Sequence, residues 1–240
     1  MHWRQKIGRA AGVDVFVHWS YWLGPLYIVL LHWTANMSWP LVGILLVLLF
    51  ALSACVLLHE FGHSLAARHF GVETKDIILT PIGGFARLIR FPNDPLHEFA
   101  IALAGPAANL VVALVFAGIV FGAGDGLGID LSARNIWQFP KLMCWMNLCL
   151  FAFNLIPAFP MDGGRILRSL LAMQLSRSKA TLAAGVTGQL IALLFVGFGL
   201  YTSTFPFTLI GILVFLTASF EVANAWPSIG QDQDNQETGR

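Results

Sequence analysis

Apolar residues run through this chain in long blocks separated by short polar intervals. Six blocks approach the roughly 20 mostly apolar residues that a helix needs to cross a bilayer. They cover about 16–36, 39–67, 98–122, 142–158, 181–202 and 206–226. The fourth is cut short by Pro157 and Pro160, which a continuous helix tolerates poorly. The second runs from Leu41 to Leu58 with Ser53 as its only polar side chain, and then carries His59, Glu60 and His63. One interval has a different period. "KDIILTPIGGFARLIR", 75–90, sets two β-favouring runs around Pro81, Gly83 and Gly84, which reads as a hairpin. Irregular backbone at membrane depth survives only against protein or a wet cavity. The hairpin is therefore either re-entrant and lining a site, or an ordinary one on the cytoplasmic side. The pattern predicts an all-α polytopic membrane protein, with six transmembrane helices and a small re-entrant β-hairpin. It forms one membrane-embedded domain over 1–226, and the polar, turn-rich stretch 227–240 reads as a disordered tail.

Composition supports the bilayer as solvent. Of 240 residues, 57% are hydrophobic and 11% charged, with a mean hydropathy of +0.71, where a soluble domain carries about 25% charged residues. The net charge is +1 and the basic residues form no compact run, so the composition points to the bilayer and to no nucleic acid. Cys55, Cys144 and Cys149 lie in apolar stretches without a CxxC pattern, which argues against a disulfide framework. Lys and Arg set the orientation. With six spans, twelve of the fourteen fall on one side, in the N-terminal arm, the 68–97 and 159–180 connections and the tail. Only Arg134 and Lys141 fall on the other. This predicts a multi-pass protein of the cell membrane with both termini in the cytoplasm. The first block follows a basic arm but is long for a cleaved signal and lacks a small-x-small site, so it reads as an uncleaved anchor.

His59 and His63 stand four apart in "LLHEFGHSLAA", on one helix face, where two imidazole nitrogens can grip one metal ion. Glu60 lies beside the metal rather than on it. It can take a proton from a water that the metal has acidified and hand it to a leaving amine. Charged groups inside a membrane segment are expensive and usually functional, which favours this reading over a solvated helix face. His59 lies about 14 Å along the helix from Arg68, so the site sits within the membrane toward the cytoplasmic side. A catalytic zinc takes a third protein ligand and keeps an open position. Asp162, in "NLIPAFPMDGGR" (154–165), is either that ligand or an N-cap for the segment that follows. Asn147 and Asn154 share a face of the fourth block. Asn154 either donates to the oxyanion formed during acyl attack or bonds a neighbouring helix, and Asn147 is expected to do the latter. "AGPAAN", 104–109, supplies small residues for close helix packing. His18, His32, His69 and His97 lack a partner at ligand spacing and are expected to be structural or interfacial.

Together, "HEFGH", "PIGG", "AGPAAN" and "NLIPAFPMDGG" resemble the site-2 protease family of intramembrane zinc metalloproteases, over roughly residues 7–175. The resemblance implies a core of three helices carrying the site, flanked by others that gate substrate entry. It implies one zinc ion per chain held by His59, His63 and Asp162, with Glu60 as the acid/base and Asn154 as a substrate or oxyanion contact. The implied substrates are transmembrane segments of other membrane proteins, whose cleavage often releases a regulator. Members of the family often carry a PDZ domain or a pair of CBS domains, and these residues leave room for neither. Nothing in the sequence sets an oligomeric state. A membrane metal-ion carrier or metal-binding scaffold would use the same histidines but gives Glu60 no job. An inactive relative acting as a binding partner is opposed by the intact HExxH and Asp162.

Overall fold

The computed structural model describes residues 3–81, 83–90, 92, 94–129 and 138–238. They form two compact units, one of Met1–Phe91 with Ala104–Phe151 and one of Pro92–Leu103 with Ala152–Arg240.

The first unit opens with strands. β1 (Arg4–Ala10) and β2 (Val13–His18) pair antiparallel. They are joined by Ala11 and Gly12 at φ +50° and +85°, the left-handed pair that a two-residue turn needs to match strand twist. β3 (Thr74–Thr80) and β4 (Gly83–Leu88) form a second hairpin, and β2 lies parallel to β3, giving the order β1-β2-β3-β4. The expected hairpin is thus half of a four-stranded sheet. The other half is masked in the sequence because its alternation, with Val15 and Val17 buried and their neighbours less so, runs straight into apolar helix residues. The block 16–36 accordingly divides. β2 ends at His18, a 3₁₀ turn covers Trp19–Trp22, and α1 (Leu23–Thr34) has only 12 residues.

α2 (Trp39–His69) has 31 residues and is about 46 Å long. Pro40 sits in its first turn, where a missing N–H costs nothing. Just past its C-terminus Gly71, at φ +69°, turns the chain toward β3. α3 (Pro95–Gly122) and α4 (Gln138–Asn154) follow. The second unit is built on α5 (Asp162–Ala172), α6 (Arg177–Tyr201) and α7 (Phe205–Thr238). α6 and α7 meet on small residues. A Cβ at Gly199 would lie 2.5 Å from the Thr208 nitrogen, and one at Gly211 would lie 2.8 Å from the Ala192 oxygen. Between helices in lipid there is no hydrophobic drive, so close backbone approach of this kind supplies the packing.

Among the described residues four helices are long and apolar enough to cross a membrane: α2, α3, α6 and Phe205–Ala225 of α7. α1 with 12 residues and α4 with 17 fall short of about 20. Large apolar side chains face outward, as at Leu194 (73% exposed) and Phe220 (68%), which calls for lipid around them. The chain is a mostly helical membrane protein with a small sheet, and of the six spans expected, four have full-length apolar helices among the described residues. α7 continues as helix to Thr238, into the stretch expected to be a disordered tail. Residues 239 and 240 lie outside the described residues.

Asp76 on β3 is 2% exposed and accepts from Arg87 Nε at 2.6 Å and Arg4 Nη1 at 2.7 Å. The Arg87 hydrogen bond, with the charges of Arg87 and Arg4, holds its carboxyl below the ordinary value despite burial. A carboxyl more acidic in the folded state contributes fully above its unfolded value, about 3.9, and loses that contribution as pH falls through the lower folded value. Asp76→Asn is expected to cost about 2–3 kcal/mol at neutral pH. The gap to wild type should narrow steadily below about pH 4, read by thermal unfolding in detergent.

Candidate metal centre

In the C-terminal turns of α2, His59, Glu60 and His63 are all buried. The i, i+4 spacing brings His59 Nε2 and His63 Nε2 to 3.1 Å, with the rings edge-to-face at 86°. Two nitrogens held at tetrahedral zinc distances of 2.0–2.1 Å would lie about 3.3 Å apart, so the pair fits such an ion. Asn109 on α3 completes the arrangement. Its Oδ1 lies 3.0 Å from His59 Nδ1, which puts the ring proton on Nδ1 and leaves the Nε2 lone pair facing the His63 ring.

The α3 backbone closes over the two rings at Gly105. A Cβ there would sit 2.2 Å from His63 Nε2 and 2.8 Å from His59 Nε2. Gly62 answers from α2, where a Cβ would lie 2.5 Å from the Ala104 oxygen. Any larger residue at either position would drive the helices apart or occupy the cleft between the imidazoles. The "AGPAAN" stretch is therefore close packing, as expected, and also supplies an orienting partner that sequence reasoning missed. The available signal was spacing: Gly105 and Asn109 are four apart, on one face.

Glu60 is held by the sheet. Its Oε2 accepts from the Ala86 backbone N–H of β4 at 2.8 Å, and a Cβ at Gly84 would lie 2.6 Å from its Cγ. The hairpin thus packs directly against Glu60. Asn147 on α4 is fully buried and donates to the Met143 carbonyl at 2.8 Å and to Cys55 Sγ on α2 at 3.2 Å, the helix-bridging role expected of it. His18 bonds Ser20, and His32 stacks on Trp39 with ring centroids 4.1 Å apart. Neither joins the metal centre.

Asp162 and Asn154 belong to the second unit. Asn154 is the last residue of α4. Asp162 is buried as the first residue of α5, and the cap position falls on Met161, so Asp162 does not fill the N-cap role. Gly163 and Gly164 let this helix start against the preceding turn. Their Cβ atoms would lie 2.2 Å from the Ile156 oxygen and 2.8 Å from the Ala158 carbonyl carbon.

The sequence profile of peptidase family M50 matches residues 47–128 and 127–197. The chain is 34% identical over 224 residues to a zinc metalloprotease of Methanocaldococcus jannaschii, covering 92% of this chain and 61% of that protein. It is 32% identical over 133 residues to stage IV sporulation protein FB of Bacillus subtilis, covering 55% and 43%. The chain thus spans about half the length of these curated relatives. Among solved structures, a site-2 protease from Methanocaldococcus jannaschii superposes with a TM-score of 0.66 at 31% identity, over 91% of this chain and 95% of that one.

Asn109→Ala is expected to weaken divalent-metal affinity about 10–100-fold, measured by competition with a chromophoric chelator, with helix content unchanged. Gly105→Val should abolish binding altogether.

Proposed function

The chain belongs to peptidase family M50, and on that premise we propose that it is an intramembrane zinc endopeptidase. It hydrolyses peptide bonds in or near transmembrane segments of other membrane proteins, releasing a regulator from its anchor. The observation that carries this is the imidazole pair with its nitrogens 3.1 Å apart and Glu60 beside it, fixed by the edge of a sheet.

His59, His63 and Asp162 hold one zinc ion per chain. Support for Asp162 is its residue type, its burial and its place inside rather than at the cap of α5. Zinc supplies a Lewis acid that acidifies water and polarises the scissile carbonyl. Glu60 takes the proton of the attacking water on Oε1, the oxygen that Ala86 leaves open, and passes it to the amine nitrogen as the C–N bond breaks. Asn154 donates from its carboxamide to the carbonyl oxygen as negative charge builds there. A helical substrate hides its carbonyls in its own hydrogen bonds, so it must unwind locally, and β4, the last strand of the sheet, offers an edge on which an extended segment can be held. The metal-carrier reading leaves both the Glu60–Ala86 contact and the family membership without a purpose.

The chain crosses the membrane six times, with both termini in the cytoplasm. β2 and β3 are parallel neighbours, with Asp14 opposite Asp76. A chain leaving β2 at His18 must therefore come back before it enters β3. α2 supplies one leg, and the 3₁₀ turn with α1, together about 26 Å, supplies the opposite one. α3 and α4 make a second such pair. This count keeps twelve of the fourteen basic residues on one side.

Glu60→Gln should keep its zinc and lose cleavage by about 10²–10⁴-fold, assayed by co-expression with single-span membrane proteins. A carrier would be indifferent to that change. For the topology, reporters fused at residues 126 and 235 should read opposite sides of the membrane, and readings from the same side would overturn the six crossings.

A further inference from the structure

The second unit holds a buried ionic cluster to which the catalytic reading gives no role. Glu98, in the first turn of α3, is 4% exposed. It accepts from Arg168 Nε at 2.9 Å and again from Arg168 Nη2, and from Arg177 Nη2 at 3.1 Å. Arg177 also donates to the Pro92 carbonyl at 2.9 Å, and Glu221 Oε2 lies 3.8 Å from Arg168 Nη1. Glu98 and Arg168 form the buried pair at its centre, each offsetting the other's charge, while the Arg177 and Glu221 side chains reach toward the surface.

Arg168 connects this cluster to Asp162 in two ways. It sits on α5, the 11-residue helix whose first residue is Asp162. Its guanidinium also lies over the Phe159 ring, 5.3 Å from the centroid. Phe159 is buried three residues before Asp162, and its carbonyl accepts from Thr217 Oγ1 at 3.1 Å. One side chain, locked by a two-point bond to Glu98, therefore fixes the helix that follows Asp162 and the turn that leads into it. A planar fork that can chelate a carboxylate and stack on a ring at once is specific to arginine.

We propose that Arg168, held by Glu98 and Arg177, is a positioning residue for Asp162 and sets the direction in which its carboxylate meets the metal. This rests on the reading of Asp162 as a ligand. The role is carried through another residue, so it leaves a signature that a general packing role does not: its effect on metal affinity disappears once Asp162 is gone.

The test is a double-mutant cycle on the full chain in detergent, with zinc affinity read by chelator competition and folding by thermal unfolding. Arg168→Met should bind zinc about 10–100-fold more weakly than wild type. In the Asp162→Ala background the same change should have no further effect. Glu98→Gln, which frees Arg168 without altering α5, should repeat the pattern if Arg168→Met does not fold. Arg168→Lys should not restore affinity. Unchanged zinc affinity in the folded Arg168 and Glu98 variants would overturn the proposal. So would an equal loss with and without Asp162, which would make the cluster a packing element only. If Asp162→Ala itself bound zinc like wild type, the ligand reading would be the one that failed, and the positioning role would go with it.

Discussion

A charged or polar side chain in an apolar surrounding must find every partner inside the protein, because no water is there to serve it. In the first unit this requirement couples two buried ionisable groups of α2 to other elements. His59 is paired by Asn109 of α3, and Glu60 by a backbone N–H of β4. In the second unit Glu98 ties the start of α3 to α5 and α6 through two arginines. Such pairs are costly to break, since the group left behind stays buried and uncompensated. The site is rigid for the same reason that it is expensive.

Glycine is the second half of that arrangement. Orienting groups reach the imidazoles and the glutamate only because backbone comes within van der Waals contact of them, and Gly62, Gly84 and Gly105 give up a side chain to allow it. The three lie on three different elements, α2, β4 and α3. The polar groups and the voids that admit them were read as separate features of the sequence, yet they form one device.

How far the sequence could be read followed from the range of each signal. HExxH is local: two imidazoles and a carboxylate within five residues of one helix, so periodicity alone brings them together. The 75–90 hairpin was legible for a similar reason, since Pro81, Gly83 and Gly84 mark its turn. β1 and β2 were not. β1 (RQKIGRA) is exposed along its whole length and shows no buried face, the short alternation of β2 runs into the apolar residues of α1, and a partner of β2, β3, lies some sixty residues on. Asn109 was missed because nothing near it in sequence tells of His59, fifty residues earlier. Block length likewise overstated α1, because a count of apolar residues does not register where strand becomes helix.

The shortness of α1 has a consequence for the lipid around it. Trp22, just before α1, and Trp33, in its last turn, are each at least half exposed and lie about 17 Å apart along the axis. Indole rings settle at the headgroup level, and a hydrocarbon core is about 30 Å thick. On the six-crossing proposal, lipids beside α1 would compress or splay to meet these two indoles. Thinning of this kind would bring headgroups and their hydration deeper beside this short helix than beside the 31-residue α2.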